Sequence, residues 1–501
     1  MNEATAKGTN DFTVSENAHY FWRRVARSCD MKRVREGKTM KMKSAATLIL
    51  MLGTCVVVGA QEKPQDRRKF LDPSTPVSDD PRRVPVKPGP GGPDRILVLR
   101  GGRIFDGTGT AAHEGTLVIE RNKISKILPA SSTDWPKNAE VVDVTGKTIL
   151  PGLIDLHTHL TYPLTEADTA KAVSESDATL RAVEKLRYFL ESGITSVRDV
   201  GSQGDVPFRL KEWVRENRVP GPRIFPAGAF ITGEGGHSTE NTPDELIKRM
   251  GATRVASGPD DWRQAVREQF HKGADVIKLG SHFSVEEIKA AVQEAHELGL
   301  KVTVDSETLY IQRAVEAGAD TIEHPLPRSE ETIQLMARKG VAADPTLIPY
   351  QIIFEEWGGY YGSTSRRFTF SNDANLEMLK RLRKAGIKCG IGTDLILHWY
   401  RYLPGPYIRE LKNFVAAGWS IPEALVTATK TNAEILDMDD RLGTLEPGKL
   451  ADVLVVDGRP DERLDDLAKV DLVIRDGYSV VQGGRVVIPR HAVAQPAKKA
   501  P

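Results

Sequence analysis

Two histidines one residue apart, His157 and His159, close the apolar run Leu153-Ile154-Asp155-Leu156. A strand that stops at such a pair aims both imidazoles at one spot beyond the sheet edge, a geometry suited to holding a metal ion. Two solvent-exposed imidazoles with no ligand are the competing reading of the pair taken alone. More polar residues end later apolar runs: Lys278 sits inside Val276-Ile277-Lys278-Leu279, Asp305 ends KVTVD, His324 ends DTIEH and Asp394 ends GIGTD. A lysine in such a run is costly to bury charged, so it must be paired, neutralised or modified. Carbamylation by carbon dioxide would turn the Lys278 amine into a carboxylate able to bridge two divalent metals; a salt-bridged lysine is the alternative.

The elements that must position these residues alternate in type. From Leu153 to about Asp437 the strand-like runs are GLIDLH, ITSVRDV, PRIFPAG, ADVIKLG, KVTVDS, DTIEHP, GVAADPT and IKCGIGTD, separated by amphipathic stretches such as VEEIKAAVQEAHEL and EETIQLMARK. Eight such alternations predict an α/β chain folded as a (β/α)8 TIM-type barrel over residues 151–437, with its active site at the C-terminal ends of the strands. In a barrel the polar residues above converge. A doubly wound open sheet, the competing architecture, predicts no ring of ligands. Short β-rich runs punctuated by turns fill 94–150 and 438–490, which predicts one small β-sandwich domain built from both the N- and C-terminal segments.

The pieces LPGLIDLHTHL, VIKLG, AVEAGADTIEH, GIGTD and LGTLEPGKLADVLVVDG occur in that order, and with them the chain resembles the amidohydrolase superfamily over about residues 95–490. The likeness is to its imidazolonepropionase-like and prolidase-like metal-dependent hydrolases. The resemblance implies that His157, His159, Lys278, His324 and Asp394 are ligands of one or two divalent metals, with zinc expected, and that Asp394 also shuttles a proton. It further implies that GEGGHS, with His237, faces substrate. One position departs from the pattern. Where relatives carry a histidine at the end of the fifth strand, this chain has Asp305, whose carboxylate is a reasonable ligand for zinc or manganese. The alternative is a weakened or lost metal site.

Composition narrows the rest. With 69 basic and 68 acidic residues there is no single-sign field to attract nucleic acid or a membrane. Residues 1–39 read as a non-native or disordered extension. The stretch from Met40, MKMKSAATLILMLGTCVVVGAQ, reads as a cleaved signal peptide over 40–60 that directs export and leaves no stable membrane span. A Pro-rich linker follows over 61–93, and a disordered tail closes the chain at 491–501. Of Cys29, Cys55 and Cys389 only the last survives such processing, so no intrachain disulfide is available. Aromatic and arginine residues after the seventh and eighth strands, among them Tyr361, Arg366 and Trp399, suit either a small-molecule or dipeptide-like substrate or a homo-oligomer contact. The expected activity is hydrolysis of an amide or peptide C–N bond by an exported prolidase-like dipeptidase or N-acyl amino acid amidase. A cyclic amidohydrolase or deaminase of imidazolonepropionase type is the alternative, and a non-catalytic barrel with a degraded metal site is the second.

Overall fold

The computed structural model describes residues 91–162, 174–239, 251–358 and 371–487. The expected leader over 40–60, nearly all of the linker, the tail, Tyr361 and Arg366 lie outside the described residues. Both terminal segments contribute to one nine-stranded sheet. Its junction is the antiparallel pair Thr148–Pro151 and Val453–Val456, in which Leu150 faces Leu454. Side chains alternate across that pair, as a pleat requires. Val453 and Val455 join Leu97, Leu99 and Ile149 in a core of their own, while Leu150, Leu454 and Val456 enter the large central core. Sequence patterning predicts a sandwich here; the backbone pairing is that of one connected sheet, because Thr148–Pro151 also bonds Ile96–Ile104 and so holds the two segments edge to edge.

The remaining strands are parallel and alternate with helices. Leu153–Thr158, Ile194–Asp199 and Arg223–Pro226 form one sheet, and Thr253–Ala256, Phe230–Gly233, Val276–Gly280, Lys301–Asp305, Thr321–Glu323 and Ala342–Asp344 form another. Most are buried along their length, as parallel strands covered on both faces must be. The covering helices follow the expected pattern. In Val285–Glu297, Ser284 and Glu287 make a reciprocal capping box, and Ile288, Ala291, Val292 and Ala295 form the buried i, i+3, i+4, i+7 stripe.

The structure departs from the expected strands at the third and eighth, and it adds Thr253–Ala256 beside Phe230–Gly233. The third expected strand, PRIFPAG, ends at Pro226 after pairing with Ile194–Asp199, and a further strand outside it, Phe230–Gly233, pairs with Val276–Gly280. Between them Gly228 has φ 77°, and a Cβ there would sit 2.4 Å from the Gln269 side chain. The eighth expected strand is irregular, yet it is bonded on both sides. Gly390 N–H donates to Ala343 O (2.8 Å), and Leu156 N–H and Asp394 N–H reach Ile391 O (3.0 Å) and His157 O (2.8 Å). The Asn432 side chain explains the irregularity, since it accepts from Ile391 N–H and donates to Ile391 O and Ile154 O, replacing ladder bonds with amide bonds.

One buried carboxyl makes stability pH-dependent. Glu410, on the helix Gly405–Ala416, accepts the N–H groups of Leu347 and Ile348 at the start of Leu347–Trp357. Burial outweighs these bonds and pushes its pKa up from 4.5 to about 7. A carboxyl with a raised folded pKa contributes stability that is fully present below about pH 4.5 and lost as pH rises through about 7. Denaturation midpoints followed across that window should therefore lose about 3 kcal/mol from this group, and Glu410→Gln should flatten the decline. An unchanged slope in the variant would assign the decline elsewhere.

Candidate metal centre

The C-terminal ends of the parallel strands bring the predicted residues together. Ligand atoms of His157, His159 and Asp394 lie within 4.8 Å of one another. Asp394 Oδ1 is 3.6 Å from His157 Nε2 and 3.3 Å from His159 Nε2. The His324 ring centroid is 4.9 Å from that of His157, and its Nε2 lies 3.0 Å from Asp305 Oδ2. The same Asp305 oxygen is 3.6 Å from His237 Nε2 and 3.7 Å from Lys278 Nζ. Three residues around the centre, His324, Thr346 and Asp394, hold φ values of 63°, 40° and 46°. Such left-handed backbone in non-glycine residues costs of order 1 kcal/mol or more each and gathers where geometry serves a site.

The donor set fits a cation. His157 Nδ1–H donates to Glu323 Oε2 (2.7 Å) and His159 Nδ1–H to Gly201 O (2.9 Å), so both Nε2 atoms carry lone pairs. Those lone pairs face the Asp394 carboxylate, acceptor against acceptor, which a positive charge between them relieves. Burial, with the Lys278 charge beside it, pushes His157 down to about 3 and keeps the imidazole neutral. Burial alone would raise Asp394, and a positive charge beside it is what holds its carboxyl below the usual carboxylate range. Asp305 is likewise held low against its burial by His324, His237 and Lys278. Lys278 is 1% exposed and its Nζ has no hydrogen-bond partner, an orphaned amine at the centre of the cluster.

Several supporting residues have no motif of their own. Glu323, wholly buried, also accepts from Arg198 (2.7 Å) and from the Thr303 hydroxyl, and Arg198 continues to Asp344 at 3.2 Å. His157, Glu323 and Asp344 also cluster closely, but Arg198 balances the Glu323 charge, and burial beside Glu323 raises Asp344 well above the usual carboxylate range, so this group supports His157 rather than holding a second cation. On the other side, buried Lys185 donates to His159 O (2.9 Å) and Tyr162 O (2.8 Å) and lies 4.2 Å from the centre of the Tyr400 ring. The Tyr400 hydroxyl accepts from His159 N–H, and Tyr162 stacks on the His159 ring at 4.1 Å. Lys185→Met keeps the bulk and strands two carbonyls, so urea denaturation should show a loss of about 2–4 kcal/mol. A loss within the error of the titration would mean that the carbonyls find other donors.

Other candidates fall at varying distances from this centre. His237 keeps a third of its side chain exposed beside Asp305, a position from which it can meet a ligand. Trp399, expected at the substrate, is 1% exposed, and its indole N–H donates to Glu356 (3.0 Å); the side chain packs into the core. His282 faces Glu307 at 3.6 Å, and His296 bonds Asp320 at 2.8 Å.

Parallel strands alternating with helices, with histidine and carboxylate donors converging at their C-terminal ends, form an arrangement suited to metal-assisted hydrolysis. The sequence profile of the Amidohydrolase family matches residues 148–481, and the chain belongs to that family. A solved prolidase in complex with N-methylphosphonate-L-proline is 31% identical, with a TM-score of 0.69 over 77% of this chain and 100% of its own. Ochratoxinase of Aspergillus niger is 24% identical over 427 residues, covering 77% of this chain and 86% of that protein. An imidazolonepropionase of Hahella chejuensis is 25% identical over 374 residues, covering 68% and 86%. The protein is therefore a hydrolase acting on carbon–nitrogen bonds.

Proposed function

We propose that this amidohydrolase is exported and hydrolyses the amide bond of a dipeptide or N-acyl amino acid with prolidase-like selectivity. The observation that carries the reading is the meeting of His157, His159, His324, Asp305, Lys278 and Asp394 at one set of strand ends. We read the two parallel sheets as one closed (β/α)8 barrel, since backbone bonds cross both gaps between them: Asp275 N–H to Pro226 O on one side and the Gly390 and Leu156 bonds on the other. These six residues would hold one or two zinc ions, with Lys278 carbamylated. A metal bound there would make a water acidic enough to attack near neutral pH and would polarise the scissile carbonyl.

The chain's own groups supply the rest. Asp394 accepts the proton of the attacking water on its carboxylate and passes it to the leaving nitrogen as the C–N bond breaks, giving one acid and one amine. Glu323 and the Gly201 carbonyl fix the tautomers of His157 and His159. The likeness to a prolidase that binds a phosphonate of L-proline favours an amide whose nitrogen belongs to an amino acid. Export rests on the leader-like stretch over 40–60.

A panel of Xaa-Pro dipeptides, N-acyl amino acids and imidazolonepropionate, assayed with zinc or manganese supplied, tests the substrate. Turnover of dipeptides or N-acyl amino acids supports the reading; turnover of the cyclic substrate alone replaces it with the imidazolonepropionase type. Asp305→Ala should release about one metal equivalent per chain, measured by elemental analysis, because a carboxylate ligand is lost. Full metal content and unchanged turnover in that variant would remove Asp305 from the ligand set.

A further inference from the structure

A cavity of about 720 Å³ lies at the other end of the parallel strands from the histidines. Its lining includes Arg223, Val276, Lys301 and Thr321, each the first residue of its strand. This volume is that of a small-molecule site, and such sites combine apolar walls with a few placed polar groups. Val214, Phe225, Phe270, Leu300 and Met438 provide the walls.

The polar groups are unusual for a face that ordinarily serves stability. Arg475 is 1% exposed; its terminal nitrogen donates to Val214 O (3.0 Å), but its Nε has no partner. Arg223 Nε, buried beside Asp452 and Asp476, has none either. The two aspartates balance the two guanidinium charges and still leave both Nε–H donors unmet. A buried donor without an acceptor costs about 1–3 kcal/mol, and because both Nε atoms are shielded from solvent, a ligand oxygen recovers that cost only as the guanidinium groups turn towards the cavity. Basic residues also outnumber acidic ones in the lining, which favours an anionic oxygen. The inner end of the cavity is formed by Arg198 and Thr303, and both donate to Glu323, the partner of His157.

We propose that this cavity is a second ligand site, for a small carboxylate with an apolar body, whose occupancy is felt at His157 through Arg198, Thr303 and Glu323. The site is independent of which amide the enzyme cleaves. Phenylacetate is a suitable probe, with phenylacetamide as its uncharged counterpart. Lys301→Cys places a thiol at the partly exposed entrance, and Cys389 is buried, so modification by a maleimide, corrected for the parent protein, reports occupancy.

Millimolar phenylacetate should slow modification about 10-fold in a saturable way, phenylacetamide should not, and adding Arg475→Met should abolish the protection. Saturating phenylacetate should also shift the zinc affinity, measured against a competing chelator, by about 3-fold, as linkage requires. Arg223→Met replaces Arg475→Met if the latter does not fold. Absent protection, equal protection by the amide, or protection that survives loss of the arginine overturns the site. Protection with an unmoved zinc affinity overturns the link to His157.

Discussion

Asp394→Asn is expected to lower kcat by about 100- to 10,000-fold while leaving the fold intact. The substitution is chosen on backbone grounds. Asp394 holds φ 46°, a region that asparagine tolerates about as well as aspartate, whereas alanine there would add strain to the lost carboxylate. Its N–H bond to His157 O (2.8 Å) does not depend on the side chain and persists. What disappears is the basic oxygen 3.3 and 3.6 Å from the two imidazoles, the atom that takes the proton of the attacking water. Circular dichroism should match the parent while turnover falls, and elemental analysis of the same samples separates a lost proton shuttle from lost metal. A folded, metal-replete variant with near-parental turnover would move the proton shuttle to another group.

How far the sequence reveals this centre depends on the kind of contact. The candidate ligands are legible because each ends a short apolar run, and a barrel brings strand ends together whatever their separation in sequence. Their supports are not legible. Glu323 reaches His157 across 166 residues and Arg198 across 125, and neither residue type is unusual in its local context. The available signal was its place in the sequence, since Glu323 lies within AVEAGADTIEH and directly precedes His324. Lys185 is less visible still: within an amphipathic helix it reads as a solvated charge, and only the packed structure shows its amine between two carbonyls.

The same limit applies to the fold. Hydrophobic period marks PRIFPAG and IKCGIGTD as strands, but it cannot see that Gly228 turns the chain between two neighbours or that Asn432 substitutes for ladder bonds. Trp399 shows the converse error. Beside arginine and tyrosine in sequence it reads as a binding surface, and burial against Glu356 makes it core.

Lys278→Ala is expected to lose metal and activity together, and short carboxylic acids such as propionate should restore part of both. The alternating pleat puts Ile277 and Leu279 into the large core and Lys278 towards the cluster. There its amine is buried with no hydrogen bond, and the nearest carboxylate oxygen lies 3.7 Å away. An ammonium held so dry costs several kcal/mol unless it is paired well or loses its charge. Carbamylation removes that charge and presents a carboxylate to a cation, which accounts for a lysine at this position more simply than a distant ion pair does. In the alanine variant the missing carboxylate leaves room that a small acid can enter. Carbon-13 NMR of enzyme prepared in labelled bicarbonate should show a carbamate signal that Lys278→Ala lacks. An active, metal-replete enzyme whose Lys278 amine is unmodified would sink the carbamate, and Lys278 would then act as a cation held by Asp305.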